Sequence, residues 1–168
     1  MTRRKLIFYW AVYALMALLA LLLQSVILNR LSFRSVHPFL LPCLVALTSI
    51  YTPRKGSACF AFLFGLLCDM LLVGPFSFFY LLCFSLCALG IGWLSHRFIS
   101  PGVLCTLLMG TISLLFTGLM QMFFLSFQAE IPFLSGMLIL LIELVITLPF
   151  LLCLYPLYSR VDRFLANV

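Results

Sequence analysis

Charge is what this sequence has least of. Lys, Arg, Asp and Glu together supply 8% of its 168 residues, and only four residues are acidic. A soluble domain of this size covers itself with roughly a quarter to a third charged side chains, so a water-facing surface is excluded, and no stretch is polar enough to form a separate soluble domain. The chemistry of enzymes is equally scarce. No C-x-x-C pair occurs, histidine is limited to His37 and His96, and no glycine-rich phosphate loop follows a strand. No Ser/His/Asp set converges, and the aspartate-rich motifs that lipid-linked phosphotransferases need are missing. The expectation is a protein that is not an enzyme and carries neither metal nor cofactor.

What is present is hydrocarbon. Apolar residues make up 65% of the chain and the mean hydropathy is +1.28. A helix needs about 20 apolar residues to cross about 30 Å of hydrocarbon. Six segments suit that role: residues 6–28, 38–52, 57–73, 76–95, 103–125 and 133–158. The second is short and carries Pro38 and Pro42, which points to a tilt, a kink or a partly unwound stretch shielded by its neighbours. The basic tip Arg3-Arg4-Lys5 resembles the start of a signal peptide. The apolar run behind it is too long for one and lacks a small-residue cleavage site, so it is expected to stay as the first anchor.

The few cations give the topology. Three lie near the N-terminus, two at Arg54 and Lys55, one at Arg97, and two at Arg160 and Arg163, which makes eight on one side. Arg30 and Arg34 stand alone on the other. Eight against two is a positive-inside bias, and it predicts an all-α integral membrane protein: a single domain over residues 1–168, a bundle of six transmembrane helices with both termini cytoplasmic. His37 and His96 then fall on opposite sides and cannot share a metal. The net charge of +6 finds its counter-charge in anionic membrane lipids rather than nucleic acid.

The seven cysteines, Cys43, Cys59, Cys68, Cys83, Cys87, Cys105 and Cys153, all lie in or beside apolar segments and read as small packing residues, not as a disulfide framework.

Polar residues inside the spans are the sharpest functional clues, because a carboxylate at a helix centre costs about 2.5–3.5 kcal/mol to insert. Asp69 and Glu143 are the two carboxylates, and Gln24 and Gln121 join them. At about 1.5 Å per residue, Gln24, Asp69 and Gln121 come within roughly 6 Å of the outer boundary and Glu143 roughly 15 Å below it. Glu143 is expected to be protonated or paired. Arg30 or Arg34, on the same side as Asp69, is its expected ion-pair partner. Small residues mark helix contacts. Ser57, Ala61, Gly65 and Asp69 recur every four residues, and Thr106, Gly110, Ser113, Thr117 and Gln121 every three or four. Both stripes are expected to face the bundle interior or a partner helix, in another protein or in a second copy.

The run Gly65-Leu66-Leu67-Cys68-Asp69-Met70-Leu71-Leu72-Val73-Gly74-Pro75-Phe76 resembles the signature of the MreD family, the rod shape-determining membrane proteins of bacteria. There, a helix with glycine and aspartate is followed by a small/proline turn and a new apolar span. The first span with Gln24 near its end, the proline-bearing second span and the basic tail with Arg160 and Arg163 agree. Ser77 departs from the glycine that the family often carries after the turn.

The resemblance implies a multi-pass scaffold of the cell inner membrane, acting in cell shape and peptidoglycan synthesis. It would bind an MreC-like bitopic protein and, through it, RodA-type glycosyltransferases, penicillin-binding transpeptidases and MreB filaments. It also implies a fold similar to the substrate-binding subunits of energy-coupling-factor vitamin transporters, and such a subunit is the alternative function. The residues carried over are Gly65, Asp69 and Pro75. The outer loops are short, which suits the scaffold better than an enclosed vitamin pocket. Impermeant labelling of single cysteines placed at the two chain ends should modify both from the cytoplasmic side only; modification from opposite sides would exclude six passes.

Overall fold

Residues 3–26, 38–72, 74–98, 102–129 and 133–167 are described in the computed structural model. Six α-helices and no strand occur among them: α1 Arg3–Val26, α2 Leu41–Tyr51, α3 Arg54–Leu71, α4 Phe79–Phe98, α5 Val103–Ala129 and α6 Phe133–Asn167. Three stretches are long and apolar enough to cross a membrane: Tyr9–Val26 in α1, Val103–Phe127 in α5 and Gly136–Asp162 in α6. The α2 helix and Phe79–Ser95 of α4 are shorter apolar helices, and α3 carries Arg54, Lys55 and Asp69 within its 18 residues.

The helices follow the expected segments with two differences. First, α6 runs on through the basic tail to Asn167, since nothing in Arg160–Asn167 breaks a helix. Second, α2 is only 11 residues long, about 16 Å. Its lead-in, Pro38 to Leu40, is not helical, because Pro38 and Pro42 lack the N–H groups that an earlier helix start would use.

Helix α2 is the centre of the bundle. Every residue from Leu41 to Ile50 is buried, and α1, α3, α4, α5 and α6 all pack on it. Its own hydroxyls turn inward on its backbone: Thr48 donates to the carbonyls of Leu44 and Val45, and Ser49 to that of Val45. From α5, Ser113 donates to the carbonyl of Pro42 at 2.9 Å.

Around this pillar stand two antiparallel hairpins. Helices α5 and α6 meet where Gly110 faces Leu151, Gly118 faces Leu140 and Gly136 faces Met122. In each case the tip of a flexible side chain fills the notch. The α3–α4 hairpin is tighter. A Cβ on Gly65 would lie 2.6 Å from the Cα of Leu81 and 2.9 Å from the carbonyl oxygen of Tyr80, so backbone meets backbone there. Phe60, Phe64 and Phe84 stack beside this crossing, with centroids 5.6 and 6.0 Å apart. The small-residue stripe Ser57, Ala61, Gly65 is thus buried within the chain, as are Thr106, Gly110, Ser113 and Thr117 of α5. Both stripes face the interior.

No disulfide forms. Five of the cysteines are buried as packing residues, whereas Cys59 and Cys153 are exposed.

Gly65→Ala should cost about 1–3 kcal/mol, the range for overpacking, in an unfolding titration in mixed micelles. Gly118→Ala should stay within about 1 kcal/mol of wild type, because the tip of Leu140 can move and alanine favours helix. Equal effects would mean that the α3–α4 crossing is looser than described.

Candidate functional site

Two helices, α2 and α4, begin at the same end of the bundle, and each helix start leaves N–H groups without intrahelical partners. At α4 those of Phe79, Tyr80 and Leu81 are met. Phe79 N–H donates to the carbonyl of Phe76 at 3.3 Å, and Leu82 N–H makes the first in-helix bond, to the carbonyl of Phe78 at 3.2 Å. Tyr80 and Leu81 N–H donate to the two carboxylate oxygens of Asp69, each at 2.9 Å. Asp69 is therefore an N-cap supplied by the neighbouring helix. Its negative charge sits against the positive end of the α4 dipole. Gly65, one turn earlier on α3, lets α4 come close enough for that reach. Between them, the turn through Gly74 and the half-buried Pro75 brings the chain back, with Phe78 in the left-handed region at φ 69°.

At α2 the device is an amide. Gln24 of α1 is 4% exposed. Its Nε2 donates to the carbonyl of Pro38 at 2.8 Å, and its Oε1 accepts from the N–H of Leu40 at 3.0 Å. The side chain thus grips one peptide turn of non-helical backbone as a paired strand would. Between those two bonds, Phe39 N–H donates to Oγ1 of Thr147 on α6 at 3.3 Å, and Thr147 donates on to the carbonyl of Glu143 at 2.7 Å. The ring of Phe39 lies 5.9 Å from that of Tyr80. Residues 38–40 therefore tie α1, α2, α4 and α6 into one knot.

Gln24 is part of this knot, and Asp69 adjoins it through Tyr80, with Gly65 one turn earlier on α3. Glu143 is half-buried in α6, one turn from Thr147, with Cys43 and Tyr80 in electrostatic reach. Its side chain makes no hydrogen bond among the described residues. Counting along straight helices set Glu143 well below Gln24. In the fold, Gln24 and Thr147 grip the same three residues, because the α5–α6 hairpin extends beyond the end of α1. Gln121 is half-buried on α5 and outside the knot's hydrogen bonds. Arg30 and Arg34 lie outside the described residues, and so does their expected pairing with Asp69.

Sequence reasoning missed Thr147, Tyr80 and Phe39. Thr147 had a usable signal, a hydroxyl one turn after an intramembrane carboxylate. The other two have none, since their role rests on backbone N–H groups and ring packing. Chemically the knot is a set of satisfied backbone groups. It can order helices; among the described residues it presents no nucleophile and base in contact, and no cluster able to hold a metal ion.

Gln24→Ala should cost about 2–4 kcal/mol, as two buried backbone groups lose their partners. Asp69→Ala should cost about 1–3 kcal/mol and Asp69→Asn less, since one acceptor oxygen remains. Unfolding titrations in mixed micelles check both. A neutral Asp69→Ala would remove the capping role.

Comparison with protein-family models, curated proteins and solved structures found no match for this chain.

Proposed function

We propose that this chain is an MreD-like scaffold of the bacterial cell-elongation machinery. It crosses the cell inner membrane six times with both termini in the cytoplasm and binds an MreC-like bitopic protein. Through that partner it supports RodA-type glycosyltransferases, penicillin-binding transpeptidases and MreB in peptidoglycan synthesis and cell shape. The observation that carries this reading is the use to which the signature residues are put. Gly65 and Asp69 spend their chemistry on docking and capping α4, which suits a rigid helix frame better than a reaction centre.

The eight-to-two distribution of Lys and Arg supports the six-pass topology. Helices α2 and α4 would complete their crossings inside a jacket formed by the longer helices, where their backbone ends are met by Gln24 and Asp69 rather than by lipid. With both small-residue stripes turned inward, a partner's transmembrane segment would meet the apolar outer faces, and its outer domain the side to which the charge bias assigns Arg30 and Arg34. The vitamin-transporter reading draws on Glu143, a half-buried carboxyl beside the knot where a ligand could be met.

Co-purification of the full chain with the MreC-like product of a neighbouring gene tests the scaffold. The pair should survive size exclusion, and Asp69→Ala should lower recovery of the partner severalfold and round up rod-shaped cells. A thermal shift with a water-soluble vitamin, together with no capture of the partner, would instead select the transporter subunit.

A further inference from the structure

Helices α1 and α3 run in the same direction, with Trp10, two turns into α1, against Gly56 in the first turn of α3, and an open groove of about 490 Å³ separates them. Its α1 wall is Trp10, Ala14, Ala17, Leu18 and Leu21, and its α3 wall includes Cys59, Phe60, Leu63 and Leu67. Among the described residues, no charged one lines it. The walls extend from Trp10 to Leu21, about 16 Å at 1.5 Å per residue. That is one leaflet of a hydrocarbon core about 30 Å thick. A transmembrane helix of a partner would need a groove twice as long.

The charge at its mouth names the occupant. On α3 the stripe Cys59, Leu63, Leu67 continues one turn earlier to the exposed Lys55, while its exposed neighbour Arg54 runs its stem past Gly92 of α4 and adds positive charge nearby. Helix α1 opens there too, with Arg3, Arg4 and Lys5 in its first turns. A tryptophan at such a level sits where headgroups meet hydrocarbon. We propose that this groove holds an acyl chain of an anionic phospholipid from the leaflet on the basic side, with the lipid phosphate at Lys55. The site is separate from the knot at the other end of the bundle, and it depends on membrane insertion alone, not on the elongation partner.

Native mass spectrometry of the full chain, titrated with phosphatidylglycerol or with phosphatidylcholine of the same chains, tests this. Wild type should retain phosphatidylglycerol preferentially, by about fivefold for each contributing cation. The double change Arg54→Glu and Lys55→Glu should abolish the preference, whereas Ala14→Trp should weaken both adducts. A second measurement leaves the groove intact. In Trp93→Phe, Trp10 is the remaining tryptophan, and brominated phosphatidylglycerol should quench it more than brominated phosphatidylcholine at equal mole fraction. Equal retention and equal quenching of the two lipids would overturn the proposal, as would a preference that survives the double change.

Discussion

Backbone that begins a helix inside an apolar environment must find its hydrogen-bond partners in the protein, and this bundle is organised around that need. Two helix starts, those of α2 and α4, lie at the same end. The groups that meet them come from other helices: the carboxylate of Asp69 from α3, the amide of Gln24 from α1 and the hydroxyl of Thr147 from α6. Each satisfies a backbone group and fixes a helix position with the same bond. The packing follows from those positions. Gly65 lies against Leu81 because Asp69 holds the next turn, and α2 is covered on all sides because its lead-in is anchored at three points.

Most of the helices could be read from composition alone. Long apolar runs separated by cations and prolines give segments that differ from the helices by a few residues. The polar residues of the knot were also legible as types, since Gln24 and Asp69 stand out against hydrocarbon. Their partners were not. A carboxylate near two arginines invites an ion pair, and nothing in Tyr80 or Leu81 as residues announces that their backbone N–H groups will be at hand. The shortness of α2 was visible in its prolines, but its central position was not, because a run that is apolar all round reads the same whether its neighbours are lipid or protein.

The direction of the small-residue stripes has a bearing on partners. Glycine, serine and threonine at helical spacing suit close approach of any helix, and here both stripes are occupied within the chain. The faces left outward are large and apolar, such as Leu15, Leu18, Leu19 and Leu22 on α1 and Leu138, Leu141 and Val145 on α6. A partner of the proposed kind would recognise such faces by shape and by whatever the ends of the bundle add.

The jacketed, 11-residue α2 also constrains how the protein is made. A segment about half the thickness of the hydrocarbon core is a poor substrate for release into the bilayer by itself, and its non-helical lead-in would meet lipid with bare peptide groups. In the proposed six-pass topology it would have to wait in a sheltered place until α3 to α6 had emerged to enclose it. Insertion would then be a late, collective event, and a nascent chain that ended before α6 would lack the Thr147 anchor.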